Sequence, residues 1–262
     1  MKVRLDQLLV TRGLFESRAR ASAAVMAGEV FLGTGRERAA KPAQMVADDT
    51  TIEVEAGNPY VSRGGVKLAN ALDHFQIDVA GLQALDVGAS TGGFTDCLLQ
   101  RGAAHVVALD VAYGELAWPI RTDGRVTVIE RCNARGLSSE TLPYAPELIV
   151  IDVSFISLTK VLPAVLACAA TARFDCLAMV KPQFEVGRDR IGKGGVVREA
   201  AHRRDALVSV ARAGQASNAA VGGFASSGLP GPKGNLETFV WLRDPTRPGI
   251  SDLQAAALEV DP

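Results

Sequence analysis

The sequence predicts an α/β protein: a mostly parallel, doubly wound sheet of the Rossmann type, preceded by a small α+β unit. Three observations carry this expectation. Across residues 66–262, strand-like apolar runs alternate with helical stretches. A glycine-rich turn, "GASTGG" (residues 88–93), follows the first of these runs and leads into a helical pattern. A Gly/Pro/Ser-rich stretch, "AGNPYVSRGG" (residues 56–65), divides that texture from a shorter basic segment. The expected organisation is therefore a head over 1–56, a linker over 57–65 and a body over 66–262.

In the head, Leu5, Leu8 and Leu9 form one apolar face of a short helix stopped by Gly13. Ser17 has the chemistry of an N-cap, Ala21, Ala24 and Val25 line the helix behind it, and Gly28 ends that helix. "EVFLG" and "TIEVE" alternate like small strands, with a Lys-Pro turn between them. Residues 1–42 hold eight Lys/Arg against four Asp/Glu, whereas the rest holds twenty against twenty-five. A basic head on an acidic body points to a polyanion as the head's partner. Arg4, Arg18 and Arg20 are the residues expected to meet it. Arg18 and Arg20 are two apart on one helix, so they cannot share a face.

In the body, the predicted strands are "LQALDVG", "HVVALDV", "VTVIE", "ELIVIDV", "CLAMVK", "AAVGGFA" and "TFVWL". "GGFTDCLLQRG", "LTKVLPAVLACAATA" and "REAAHRRDALVSVARAG" supply helices between them. The 48% hydrophobic content suits a packed core. The longest uncharged apolar run, residues 161–172, is shorter than the roughly 20 residues that a membrane-spanning helix needs. The opening "MKVRLDQLLV" has charges among its leucines, unlike a signal peptide, so a cytoplasmic protein with no membrane role is expected. Cys97, Cys132, Cys168 and Cys176 have no C-x-x-C spacing, and no metal site is expected.

The glycine turn admits two chemistries. Gly88-Ala-Ser90-Thr-Gly92 matches the G-x-S-x-G of a hydrolase elbow, and Ser90, Asp152 and His202 follow in the order of α/β-hydrolases. However, "REAAHRRDALV" reads as a helix start around His202, and no oxyanion segment of the H-G-G-G kind is present. The dinucleotide fingerprint also fails, because Ser90 stands where G-x-G-x-x-G wants glycine. Asp86 and Gly88 end the first strand, and Asp110 ends the second, eighteen residues beyond Gly92. Glycines let backbone N–H groups approach an anionic group at a helix start, and an acid ending the next strand suits ribose hydroxyls. Together they fit S-adenosylmethionine, with its amino-acid end at the loop and its ribose on Asp110.

A second set of polar residues stands at element ends: Lys67 after "SRGG", Asp152 ending "ELIVID", Lys181 ending "CLAMVK", and Glu237 opening "ETFVWL". A lysine that ends a buried strand is costly unless paired. The set is therefore either a structural ion-pair group or a site. Asp152 and Lys181 should reach the same sheet edge as the glycine loop.

The segments "RLDQLL", "YVSRGGVKL", "LDVGASTGGFTDCLL", "DVAYGELAW", "ERCNARG", "IDVSFISL", "VKPQFEVG", "GKGGVVR" and "GPKGNLE" run in order along nearly the whole chain. In them the chain resembles the hemolysin A (TlyA) family of ribosomal RNA 2′-O-methyltransferases. These are FtsJ-like methyltransferases with an added RNA-binding domain of the ribosomal-protein-S-four type. The resemblance implies a catalytic tetrad at Lys67, Asp152, Lys181 and Glu237. It implies S-adenosylmethionine as cofactor, held by Gly88, Ser90, Thr91, Gly92, Asp110 and Asn133; Asp86, at the end of the first strand, is expected to join them. "ERCN" departs from the Thr-Asn form of the family, which leaves Asn133 as the expected contact. It further implies ribosomal RNA or a ribosomal subunit as partner, with cytidine as the expected target. From charge and position, Arg63 of the linker joins Arg4, Arg18 and Arg20 as expected RNA contacts.

The chemistry agrees with such a tetrad. A ribose 2′-hydroxyl is a weak nucleophile near neutral pH and must lose its proton as the methyl is transferred. A lysine serves as base only if its pKa falls, which burial or a second lysine achieves. Lys181 is the expected base, Lys67 the residue that orients the hydroxyl, and the acids hold both. A pore-forming role, suggested by the hemolysin label, has no spanning or strongly amphipathic segment behind it. A non-catalytic RNA-binding protein on a relic fold is the remaining alternative, and the intact tetrad argues against it. Residues 181–195 read equally as a mobile lid or a fixed loop.

Overall fold

The sheet of the larger unit is covered on both faces, and this follows directly from its strands. The structure is a computed structural model that describes residues 2–54, 57–171, 173–231 and 233–261. It divides into two units, residues 1–59 and 60–262.

The smaller unit runs β1 (Lys2–Arg4), α1 (Leu5–Thr11), α2 (Arg18–Ala27), β2 (Val30–Leu32), β3 (Glu37–Arg38), β4 (Met45–Ala47) and β5 (Ile52–Val54). The predicted helix face is the core: Leu5, Leu8, Leu9, Ala21, Ala24, Val25 and Val30 are buried together. Ser17 caps α2 by accepting the Arg20 N–H at 3.3 Å, and Gly28 closes it in the left-handed region at φ 79°. The expected strands "EVFLG" and "TIEVE" pair as β2 and β5, with β3 on the outer side of β2. The last residue of "TIEVE", Glu55, lies outside the described residues. A second small sheet, β1 with β4, was not expected. "KVR" is too short and too charged to show a strand pattern.

The expected boundary at residue 56 also lies outside the described residues. Of the stretch expected as linker, residues 60–65 belong to the larger unit. The Val61 N–H donates to the Asp96 carboxylate at 2.8 Å. Gly93 packs so closely on Ser62 that a Cβ there would lie 2.0 Å from its hydroxyl.

The larger unit begins with α3 (Gly64–Phe75) and continues through β6 (Gln83–Val87), α4 (Gly93–Gln100), β7 (His105–Leu109), α5 (Trp118–Arg121) and β8 (Val126–Ile129). Then come β9 (Leu148–Ile151), α6 (Leu162–Leu166), β10 (Asp175–Val180), α7 (Pro182–Glu185), α8 (Ala200–Ala216), β11 (Ala220–Ser226), β12 (Thr238–Arg243) and α9 (Leu253–Val260). Each strand falls within or beside a predicted run. They form one seven-stranded sheet in the order β11-β12-β10-β9-β6-β7-β8. All neighbours are parallel except β12, which runs antiparallel to both β10 and β11. Alternate residues feed two cores. Leu85, Val87, Ile149 and Ile151 face one layer of helices, and Ala84, Leu148, Val150 and Met179 face the other. Burial on both faces is why these strands read as continuous apolar runs. Cys97, Cys168 and Cys176 are buried free thiols, and burial raises the pKa of each. Among the described residues, no helix is long and apolar enough to cross a membrane.

Candidate active site

The carboxyl ends of β6, β7 and β9 open into a cleft of about 460 Å³, in the size range of small-molecule sites. Gly88, Ser90, Asp110, Val111, Glu115, Cys132, Asn133 and Asp152 are among the residues that line it. The backbone demands the glycine: Gly88 has φ 87°, and a Cβ there would lie 2.4 Å from the Asp152 carbonyl oxygen. Gly92 caps α4 at φ 95°, and a Cβ would lie 2.8 Å from Leu116. The turn thus brings backbone close to whatever fills the cleft, at the start of a helix.

Asp110 shapes this loop as well as lining it. Its carboxylate accepts the Ser90 N–H and the Ala112 N–H, both at 2.8 Å. Ser90, at φ 46°, donates its hydroxyl to Glu115 at 3.2 Å. Asn133 accepts the Arg135 N–H at 3.1 Å and so fixes the turn beneath its side chain. Cys132, discounted from the sequence, lines the cleft. An S-adenosylmethionine molecule offers a charged amino-acid end, a ribose diol and an adenine, and the donor set fits it: close-approaching backbone at Gly88–Ser90, a carboxylate at Asp110, and an amide at Asn133.

One expected contact is corrected. Asp86 is fully buried and does not line the cleft. It accepts the Thr95 hydroxyl at 2.6 Å beneath the loop, and burial pushes its carboxyl up to about 7. Asp152 and Asp110 add to that rise by repulsion. Its place is under the glycine loop, as a support for α4. Thr91 opens on the neighbouring pocket rather than on the cleft, and Gly92 acts as the helix cap.

That neighbouring pocket, about 250 Å³, is lined by Lys67, Asp152, Lys181 and Glu237 together, with Arg63 at its edge. Gly88, Ser90 and Asp152 border both spaces. Lys67 lies one turn into α3 and pairs with Glu237; both side chains are buried. The Lys181 ammonium lies 2.5 Å from Asp152 and makes its directed hydrogen bond to the Ser154 hydroxyl at 2.9 Å. Two lysine–carboxylate pairs therefore face one small space. A third cavity, of about 350 Å³, continues beyond Lys181 and Glu237, between Phe155, Phe184 and Lys233.

The hydrolase reading fails here. Ser90 bonds to a carboxylate, and His202 sits on α8, 3.5 Å from Glu199, lining none of these three spaces. Among the described residues, no group of three or more His, Cys, Asp or Glu side chains is arranged to hold a metal ion. Residues 181–195 carry regular contacts: α7, a 3-10 turn at Arg188–Arg190, and a Gly192–Val196 bridge, with the Asn235 amide donating to Gly195.

The expected RNA-contacting arginines are distributed as follows. Arg4 and Arg18 converge on the buried Asp6 carboxylate at 2.8 and 3.0 Å. Their hydrogen bonds, Arg4's foremost, hold that carboxyl well below the usual range. Arg20 turns away to Glu16 at 3.1 Å. Arg63 reaches the Pro230 carbonyl at 3.4 Å. Ser154, Glu115 and Glu185 were missed from the sequence. Serine and glutamate are common on loops, and only the fold reveals what they bond.

The sheet order and the paired cleft define the class: an S-adenosylmethionine-dependent methyltransferase. A family model for FtsJ-like methyltransferases matches residues 60–244. The "16S/23S rRNA (cytidine-2′-O)-methyltransferase TlyA" of Mycobacterium tuberculosis is 48% identical over 252 residues, 95% of this chain and 93% of that one. "Hemolysin A" of Brachyspira hyodysenteriae is 41% identical over 198 residues, 75% of this chain and 81% of that one. A solved structure of a candidate hemolysin from Streptococcus thermophilus superposes with a TM-score of 0.75 at 37% identity, covering 98% of this chain and 95% of that one. The chain belongs to the FtsJ-like methyltransferase family, in its hemolysin A (TlyA) branch.

Proposed function

We propose that the protein methylates the 2′-hydroxyl of a cytidine in ribosomal RNA, acting in the cytoplasm. The observation that carries this is the meeting of Lys67, Asp152, Lys181 and Glu237 in a pocket that shares Gly88, Ser90 and Asp152 with the cofactor cleft. The names of its relatives supply the substrate: several are rRNA (cytidine-2′-O)-methyltransferases. The cofactor, when bound, supplies an electrophilic methyl group. Gly88 to Ser90 would hold its amino-acid end, Asp110 its ribose and Asn133 its adenine.

The chain's own work is on the hydroxyl. Lys181, at the junction of the tetrad pocket and the third cavity, takes the proton. It does so as the neutral amine and becomes the ammonium that Asp152 holds; Ser154 sets its nitrogen, and Lys67, held by Glu237, directs the hydroxyl oxygen. The head, with Arg4 and Arg18 set on Asp6, contacts RNA phosphates and anchors the substrate. Arg63, which lines the tetrad pocket, contacts the RNA there.

Tritiated-methyl transfer to naked ribosomal RNA, isolated subunits and whole ribosomes tests the reading. Label should enter a ribose 2′-position in at least one of them. Lys181→Ala should lose transfer while binding the cofactor normally. Absence of transfer to all three substrates, or a near wild-type single-turnover rate for Lys181→Ala, would refute it.

A further inference from the structure

Lys181 and Asp152 stand at the bases of two segments: the loop of residues 152–158 after β9, and residues 181–185 after β10, which form α7 beyond Lys181. These segments are tied at three levels. At the base, the Lys181 ammonium meets Asp152 at 2.5 Å and Ser154 at 2.9 Å. In the middle, the Phe155 and Phe184 rings lie 5.3 Å apart. At the far end, the Glu185 carboxylate accepts the Ser157 hydroxyl at 2.6 Å and the Leu158 N–H at 2.8 Å. Ser157 in turn caps the 3-10 turn Leu158–Lys160.

Two further observations single out the far end. Phe155 has φ 64° and is 92% exposed, a conformation that an aromatic residue keeps only when its surroundings fix it. Phe155 borders both the cofactor cleft and the third cavity, so its loop is part of their walls. Glu185 lines none of the three spaces. It therefore acts, if at all, through the residues that line them.

We infer that Glu185 is a positioning residue: its carboxylate clamps the loop after β9 to α7 and so holds the Lys181–Asp152 pair in line with the target hydroxyl. The inference rests on the proton-transfer role proposed for Lys181. Burial raises the pKa of the Glu185 carboxyl, and the bonds from Ser157 and Leu158 counter the rise. A half-buried carboxylate is far better tolerated with such bonds made. Glutamine at this position keeps both arms, because its oxygen accepts from Leu158 and its amide donates to Ser157, whose proton turns to Thr159. Alanine keeps neither.

The test compares Glu185→Ala, Glu185→Gln, Ser157→Ala and Lys181→Ala in the full-length protein. Each is measured for kcat, KM for ribosomal RNA, and cofactor affinity by calorimetry. Misplaced reacting groups lower turnover by up to about 100-fold. Glu185→Ala should thus lower kcat by about 10- to 100-fold and leave KM and cofactor affinity within about twofold. Glu185→Gln should recover to within about threefold of wild type, and Ser157→Ala should fall between them. A wild-type kcat in Glu185→Ala overturns the inference. So does a loss of cofactor affinity that matches the loss of kcat, because the clamp would then serve the cofactor. If Glu185→Ala does not fold, a wild-type kcat in Ser157→Ala overturns it alone. Full activity in Lys181→Ala would sink the proposed proton transfer and the inference with it, a result distinct from the others.

Discussion

Lys67 and Glu237 make a buried ion pair across the tetrad pocket, with side-chain exposures of 9% and 1%. Lys67→Ala leaves the Glu237 carboxylate, itself almost fully buried, without its partner. Removing one partner of such a pair costs about 3–5 kcal/mol, chiefly the desolvation of the charge left behind. In a unit of this size, 1 kcal/mol moves the melting temperature by about 2–4 °C, so a fall of about 6–20 °C is expected. Lys67→Met combined with Glu237→Leu removes both charges and fills the volume, and should return to within about 2 kcal/mol of wild type. Neither variant should transfer methyl groups. Urea unfolding followed by tryptophan fluorescence isolates the larger unit, because both tryptophans, Trp118 and Trp241, lie in it. A loss below about 1 kcal/mol in Lys67→Ala would mean that water reaches Glu237 freely, and the buried-pair reasoning would fail. Methyl transfer by the double variant would show the pair to be structural.

Asp110→Ala should weaken S-adenosylmethionine binding by about 1.5–3 kcal/mol through lost charged hydrogen bonds, and unchanged affinity in calorimetry would remove Asp110 from the ribose site. Asp86 in the folded chain keeps its proton up to about pH 7, whereas the unfolded chain releases it near 3.8. The folded state thus binds the extra proton between those values, and this carboxyl lowers stability progressively as pH rises through that window and not beyond it. Asp86→Asn, which can still accept from Thr95, should match wild type near pH 4 and exceed it by a few kcal/mol at pH 8; equal stabilities at pH 8 would contradict the buried carboxyl. Arg18→Ala should weaken ribosomal RNA binding and reduce the salt slope by about one, whereas an unchanged slope would leave Arg18 a partner of Asp6 only. Fluorophosphonates should leave Ser90 unlabelled, and labelling detected by mass spectrometry would restore the hydrolase.

Much of this was legible in the sequence for one reason: strands buried on both faces leave long apolar runs, and these mark their own ends. Asp152, Lys181 and Asp110 stand out because a charge follows such a run. Arg4 and Arg18 showed as charges, but their convergence on Asp6 did not, because nothing in "RLDQLL" tells that Asp6 points inward. Asp86 misled for the converse reason. An acid beside a glycine loop reads as a ligand contact, whereas this one points into the core beneath the loop toward Thr95. β1 and β4 stayed hidden because three-residue strands carry no period.

Glu237 poses the harder question. It precedes its strand, and in a wholly parallel sheet a residue before a strand lies at the edge opposite the ligand site. The reversal of β12 resolves this. Its register pairs Val180 with Thr238 and Asp175 with Arg243, so the start of β12 lies beside the end of β10. Lys181 and Glu237, each one residue beyond that first pair, therefore come to the same edge as Asp152, which follows Ile151 of β9. Lys67 reaches the edge by another route, one turn into α3, after the close packing of Ser62 on Gly93 has set where that helix begins. One antiparallel strand thus lets a residue from near the end of the chain pair with one from the start of the unit. Glu237 was nameable from its place before an apolar run, but why it shares an edge with Lys181 follows only from the direction of β12.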